Sequence, residues 1–335
     1  MTILYEVITM EQMITIAIPT YNRPKQLLET LKNLQRQTNQ NFRIFICDNA
    51  SDYDVNTEVK NNFTGEFYNK ITIHRRNINV GADANIVGLF DFVGKGWMWI
   101  VSDDDVEFDT AVDTIYKRID EYPDFAIILF SFFSYLSKNI ELHSINDYIN
   151  ELYSNVKKDN AVEICGDFCS SLNKVYNLNI LKSKITDAFA YVTSCMTTGI
   201  VFLKALQYNK GVYICHDKII EFGPAYWDVM QVSNRASVLA YLNVGLNDSQ
   251  MEKLLYIINI PYRMPLHYWL QPEHHNDIYD RNIQSLYYGY YRYHLPFKEK
   301  LDYYLRMKLF SNSIIYSLHL KINSIAKRVK SRKKR

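Results

Sequence analysis

Glycine is scarce in this chain, eleven residues in 335, and none of them forms the turn that many nucleotide-binding folds place after a first strand. The first apolar run, Ile14 to Ile18, passes into Pro19-Thr20-Tyr21-Asn22-Arg23-Pro24. A nicotinamide-dependent dehydrogenase would need a glycine-rich turn there, and a P-loop kinase or ATPase a glycine-rich loop ending in Lys and Ser or Thr. Neither is present. An enzyme that makes sugar nucleotides is disfavoured for want of the same kind of opening loop. Long apolar stretches are missing too: the longest, Ala126 to Leu136, includes two serines and falls far short of the roughly 20 residues that span a bilayer. It reads as a buried strand. No basic segment followed by an apolar stretch and a small-residue cleavage site opens the sequence, so the expected location is the cytoplasm.

Cysteine is equally sparse. Cys47, Cys165, Cys169, Cys195 and Cys215 are odd in number and lack the dense spacing of a secreted disulfide scaffold, which favours a reducing compartment. Cys165 and Cys169 can share a helix face, but no second Cys/His pair stands at zinc-finger spacing, so both read as small buried hydrophobes. What the chain does have is 48% hydrophobic residues and 27 tyrosines, enough for a substantial core and too much for disorder.

Four apolar runs end in polar clusters. Ile14–Ile18 ends at Pro19–Pro24, Phe42–Cys47 at Asp48-Asn49-Ala50-Ser51-Asp52, Ile71–His74 at Asn77 to Asp83, and Trp97–Val101 at Ser102-Asp103-Asp104-Asp105. Between the first two, Leu27, Leu28, Leu31 and Leu34 recur at helical spacing, with Pro24 suited to a first helical turn. Asp109 is placed to cap a helix carrying Val112, Ile115 and Ile119, and Phe125–Phe133 reads as a further strand. This rhythm predicts an α/β fold, a mostly parallel sheet with helices on both faces. Ligands of such sheets bind beyond the carboxyl ends of the strands, where these clusters fall. Residues 163–245 read as mixed, with a strand near Val212–Cys215, and 250–325 as helical in tendency.

Three adjacent carboxylates repel unless a cation or hydrogen-bond donors compensate them. Mg2+ and Mn2+ prefer oxygen ligands, so the run Asp103-Asp104-Asp105 is a candidate metal site. A solvated acidic turn is the plain alternative. Asp48, Asp83, Asn85 and Thr20-Tyr21-Asn22 beyond neighbouring strands add a ring to stack on a base, groups to read its edge, and acceptors for ribose hydroxyls.

Thr15 to Arg23, Cys47 to Asp52, Asn79-Val80-Gly81-Ala82-Asp83-Ala84-Asn85 and Val101 to Asp105 together resemble family 2 glycosyltransferases in motif, order and spacing. The short Gly81–Asn85 version with the triple Asp is most similar to abequosyltransferase-type enzymes of bacterial surface polysaccharide assembly. The resemblance covers roughly residues 13–135. It implies the GT-A fold and an inverting transfer of a hexosyl or deoxyhexosyl group from a nucleotide-sugar donor to a glycan acceptor, lipid-linked at the membrane. By the same resemblance Pro19, Tyr21 and Asp48 hold the base, Asp103 or Asp104 faces the ribose, and Asp105, with Asp103, binds Mn2+ or Mg2+. Thr20, Asn22, Arg23, Asp83 and Asn85 then line the pocket. Three regions are expected: a nucleotide-sugar core over 13–135, an acceptor-side and catalytic-base region over 136–249, and a helical C-terminal lobe over 250–335.

The catalytic base departs from the family pattern. Relatives often carry a Glu-Asp pair where this chain reads Thr193-Ser194-Cys195-Met196-Thr197-Thr198-Gly199. Asp228 and Asp187 are the substitutes offered, Asp228 first, because Trp227-Asp228 falls where relatives return a polar loop to the site. A fold that kept binding and lost turnover, a nucleotide- or glycan-binding scaffold, is the competing reading. Charge adds one more expectation. Eight basic residues and no acidic one occupy 318–335, although the whole chain nets only +2. Leu309, Phe310, Ile314, Ile315, Leu318, Ile322 and Ile325 give that tail an apolar helical face, so 309–335 is expected to lie on an anionic membrane surface at the inner face of the cytoplasmic membrane. Nucleic acid is not expected, since no recognition module accompanies the charge.

Overall fold

Alternation of strand and helix runs through the first half as the sequence predicts. The computed structural model describes residues 13–103, 106–132, 137–153, 161–182, 186–192, 196–221 and 243–257, with 297–298, 301 and 305. β1 (Ile14–Thr20), β2 (Phe42–Asp48), β3 (Ile71–Arg75) and β4 (Trp97–Ile100) alternate with α1 (Pro24–Gln35), α2 (Val55–Asn62), α3 (Gly65–Asn69) and α4 (Ala82–Val93). Next come β5 (Val106–Glu107), α5 (Ala111–Glu121), β6 (Ile127–Phe130), β7 (Ile140–Leu142), α6 (Ile145–Tyr153) and α7 (Ala161–Cys169). The series ends with β8 (Lys174–Asn177), α8 (Leu178–Leu181), α9 (Thr186–Phe189), α10 (Thr197–Gln207), β9 (Val212–Cys215), β10 (Ile220–Glu221) and α11 (Asp248–Ile257). The chain divides into two units, residues 1–226 with 244–259, and residues 227–243 with 260–335. Every strand and helix named here lies in the first.

Eight strands form one sheet in the order β3-β2-β1-β4-β8-β6-β9-β7, and β5 pairs with β10 in a separate two-stranded ribbon. β1, β2, β3 and β4 run parallel. β8 enters between β4 and β6 antiparallel to both, so β6 shares the direction of β4, as does β9. Only β8 and the edge strand β7 oppose them. The carboxyl ends of six strands therefore lie along one edge of the sheet.

Side chains alternate between the faces of a strand, and here both faces are buried. On one face Ile14, Ile16, Ile18, Ile44, Ile46, Trp97 and Trp99 pack with Leu27, Leu31 and Leu34 of α1, Val55 and Val59 of α2, and Val112, Ile115 and Ile119 of α5. The alternate residues Ala17, Met98, Ile100, Ile127 and Leu129 are buried as well. α4 covers that side, with the Phe90 ring edge-on to Tyr176 of β8 at 5.0 Å. Burying a residue such as Ile16 or Leu31 contributes about 1.5–3 kcal/mol, and the two-sided helical cover is what makes an uninterrupted apolar strand like β4 stable. Pro24 opens α1 in its first turn, where a missing N–H costs nothing. Gly94 closes α4 at φ 71°, a left-handed cap that glycine adopts without strain.

Two expectations change in detail. Asp109 does not cap α5: Thr110 holds that position without a side-chain bond, while the Asp109 carbonyl accepts from the Thr38 N–H at 2.8 Å and its carboxylate faces Arg36 at 3.6 Å. The loop after α1 has claimed the would-be cap. β6 also stops at Phe130 instead of Phe133, because the Phe132 N–H turns to the Asp167 carboxylate at 2.9 Å.

Candidate functional site

The loops beyond β1 and β2 are built by their own polar side chains. Asn22 has φ 55°, a left-handed backbone that Asn tolerates better than most residues. Its N–H donates to Ser51 Oγ at 2.9 Å, its amide donates to Asp52 at 2.7 Å, and its amide oxygen accepts the Asp52 N–H at 2.7 Å. Asn49 N–H donates to the Thr20 carbonyl at 2.9 Å. The ends of the two central strands are thus laced together.

Asp48 is wholly buried. One carboxylate oxygen accepts the Ser51 N–H at 2.9 Å and the other accepts Arg75 Nη1 at 2.8 Å. Arg75, from the end of β3, also donates to the Tyr53 and Ser51 carbonyls. A charge this deep must be paired, and the guanidinium supplies the pairing. Beside this pair lies a pocket of about 280 Å3 lined by Asp54, Val55, Tyr68, Ile71 and Ile73 together with Asp48 and Arg75. Sequence reasoning missed Arg75; its signal was that the strand Ile71–His74 runs straight into a basic pair.

Asp103 follows β4 and is also buried. It accepts Thr20 Oγ1 at 2.7 Å on one oxygen and Arg23 Nη1 at 3.1 Å on the other. The first and last motifs of the sequence, 80 residues apart at Arg23 and Asp103, therefore meet. Tyr21 stands at their mouth, 41% exposed, and Pro19 is half-buried behind it. Tyr53 belongs to the same cluster and was also missed. Burial first, then the negative charge of Asp48 and Asp103, pushes its phenol up to about 12.

The third polar loop is tied in by amides. Asn49 accepts the Val80 N–H at 3.0 Å and donates to Asn79 at 2.8 Å. Asn85, buried in the first turn of α4, donates to the Cys47 carbonyl at 3.0 Å and accepts Arg76 Nε at 2.8 Å. It fastens α4 to β2 instead of presenting its amide to the mouth. Asp83 is half-buried in that turn.

Thr20, Arg23, Asp48, Arg75 and Asp103 accordingly make one continuous polar assembly at the carboxyl edge. Ligands of parallel α/β sheets bind beyond this edge. The sequence model described as Glycosyl transferase family 2 matches residues 15–179. The chain carries a family 2 glycosyl transferase domain. The matched span runs from β1 into α8 and contains every residue of that assembly.

The chain is 28% identical over 127 residues to the glycosyltransferase GlyG of Streptococcus pneumoniae serotype 4, covering 38% of this chain and 41% of that one. It is 32% identical over 115 residues to the abequosyltransferase RfbV of Salmonella typhimurium, covering 33% and 34%. These alignments thus span well under half of either relative. The fold is that of S. aureus TarS: the TM-score is 0.57 at 14% identity, over 89% of this chain and 55% of TarS. For TarS 1–349 in complex with UDP-GlcNAc it is 0.55 at 14% identity, over 90% and 92%.

Asp104, Asp105 and Asp228 lie outside the described residues, as do 309–335, and Asp187 is described only as part of the backbone of α9. Among the described residues no group of three His, Cys, Asp or Glu is placed to hold a metal ion, and no helix is long and apolar enough to cross a membrane. Asp217, downstream of β9, is engaged elsewhere. Burial raises its carboxyl pKa, but the Arg118 guanidinium at 2.6 Å outweighs this and holds it below the usual value.

Proposed function

We propose that this chain is a metal-dependent, inverting glycosyltransferase. It moves a hexosyl or deoxyhexosyl group from a nucleotide-sugar donor to a hydroxyl of a lipid-linked glycan in bacterial surface polysaccharide synthesis, as O-antigen, capsule or lipooligosaccharide. The observation that carries the reading is the meeting of Thr20, Arg23 and Asp103 beside the Asp48–Arg75 pair, inside a family 2 domain.

On this reading the base stacks at Tyr21 and Pro19 and is read by Asp48, whose carboxylate Arg75 holds in place at 2.8 Å. Asp103, already compensated by Arg23 and Thr20, suits ribose hydroxyls better than a second cation. Asp104 shares that task, and Asn22, Asp83 and Asn85 shape the surrounding loops. The metal, Mn2+ or Mg2+, then falls to Asp105. A divalent cation with oxygen ligands supplies charge stabilisation for the departing diphosphate. In the transfer, the acceptor oxygen forms a bond to the anomeric carbon as the bond from that carbon to the β-phosphate oxygen breaks. The electron pair leaves with the nucleoside diphosphate, and the hydroxyl proton passes to a carboxylate base. Asp228 is the first residue to try in that role and Asp187 the second.

Panels of UDP-, GDP-, CDP- and dTDP-sugars test the reading, since an enzyme of this kind slowly hydrolyses its donor without acceptor. Binding of one donor with metal-dependent release of nucleoside diphosphate is expected; binding without release would mark a scaffold. The basic tail is proposed to hold the enzyme at the inner face of the cytoplasmic membrane, each Lys or Arg contributing about 1 kcal/mol at an anionic surface. Sedimentation with anionic vesicles should fall when residues 326–335 are deleted, and unchanged partitioning would exclude this anchor.

A further inference from the structure

Away from the donor loops, a second buried polar assembly sits at the same edge of the sheet. Lys174, the first residue of β8, is wholly buried, and so nearly is Asp167 of α7. Lys174 Nζ donates to the Asp167 carbonyl at 2.6 Å, to the Ser170 carbonyl, and to the Asn173 side-chain oxygen at 3.2 Å. It thereby serves carbonyls at the end of α7, where a cation is also favoured by the helix dipole. The Asp167 carboxylate accepts from Ser131 Oγ, from the Phe132 N–H at 2.9 Å and from Asn173 Nδ2 at 3.0 Å. That side of the pair grips the carboxyl end of β6.

A third element is locked to the same point. Thr198 Oγ1, in the first turn of α10, bonds the Cys169 carbonyl at 3.1 Å and the Ser170 carbonyl at 3.3 Å. Gly199 lies so close that a Cβ there would meet the Phe168 ring at 2.7 Å and the Phe168 carbonyl at 2.9 Å. α10 leads into β9, which is parallel to β6, so the N-terminus of α10 faces the edge where Asp103 lies. A buried lysine and a buried aspartate are seldom a net gain over apolar packing; the attested use of such groups is to specify one geometry.

We propose that Asp167 and Lys174 are positioning residues that fix the end of β6 and the first turn of α10, and so the wall against which the incoming hydroxyl is held. The claim rests on the transferase reading above. Its physical content is that donor binding, made by the loops of β1 to β4, does not depend on this junction, whereas attack by acceptor or water does. Burial pulls the Lys174 ammonium down to about 7, against the opposing pull of Asp167 and Cys169.

Lys174→Met, Asp167→Asn and the milder Thr198→Val test this in the full chain. Hydrogen exchange should show residues 131–132 and 196–200 losing protection at least tenfold, with β1 and β2 unchanged. With the UDP-, GDP-, CDP- or dTDP-sugar that wild type hydrolyses, kcat should drop about 20-fold or more in the first two variants and several-fold in Thr198→Val. The Kd for the matching nucleoside diphosphate should stay within twofold. Loss of binding and kcat in proportion, loosening of the whole sheet, or unchanged kcat would each overturn the proposal; should the first two variants not fold, Thr198→Val alone decides it. A wild-type chain inert toward every donor would instead overturn the transferase reading itself.

Discussion

The two halves of the sheet solve the same problem in opposite ways. On the side proposed to hold the donor the polar groups sit at the end of β3 and in loops directly after β1, β2 and β4. On the far side the groups at the edge come from β6, α7, β8 and α10, one or two residues each, and are buried from water. The pairs in the loops proposed to hold the donor are half open: Arg23 and Arg75 are 47% and 48% exposed while their carboxylates are buried. The Asp167–Lys174 junction has no such open arm. On the proposed reading one part of the site exchanges partners and the other keeps them, and the two lie along one edge.

The sharpest break in that comparison is expected at the metal. Asp105→Asn should abolish transfer and donor hydrolysis, a loss of about a thousandfold or more if the cation supplies several kcal/mol, while circular dichroism stays that of wild type. Chelator should do the same to wild type. Activity retained in either case would sink the metal-dependent reading.

A smaller effect is expected from Asp48→Ala. A hydrogen bond to a charged group is worth about 1.5–3 kcal/mol, so nucleoside diphosphate binding should weaken about tenfold or more, with Arg75 left exposed enough to be resolvated. Calorimetric titration measures it. An unaltered Kd would remove Asp48 from the base pocket and leave it a loop-building residue.

The smallest effect belongs to the far side and is read in stability. The unfolded Lys174 titrates near 10.4, the folded one at about 7. Between those values the unfolded chain holds a proton that the folded chain has lost, so this site adds stability as pH rises and none of that slope below pH 7. From pH 7 to 8 the gain is about 1 kcal/mol by that linkage. Urea titrations at the two pH values should show it in wild type and not in Lys174→Met; equal slopes would mean that Asp167 keeps Lys174 charged throughout.

The same division explains what the sequence made legible. β1 to β4 announce themselves because each apolar run is followed at once by its own polar loop, and Pro24 and the leucines of α1 leave little choice between them. The meeting of Arg23 with Asp103 could be expected only through the family resemblance, since nothing local to either residue encodes it. β8 gave no signal: its four residues, Lys-Val-Tyr-Asn, are all buried, so neither alternation nor an apolar run marks it, and a lysine argues for solvent. Arg75 went unread because its partners Asp48, Ser51 and Tyr53 lie at the end of another strand and in the loop after it. Asp109 misled because a good cap residue can be claimed by a neighbouring loop.

β8 also sets the order in which the molecule can be made. β4 closes against a strand delivered much later: the Trp99 indole donates to the Leu172 carbonyl, 73 residues downstream, at 2.7 Å. Until that stretch has left the ribosome, β4 is an open edge with Trp97 and Trp99 beside it, a surface suited to mispairing with other chains. A fragment cut after residue 132 would keep every donor-side motif and still lack the strand that seals the sheet. During synthesis the interval between β4 and β8 is therefore the period in which this edge of the sheet stays open.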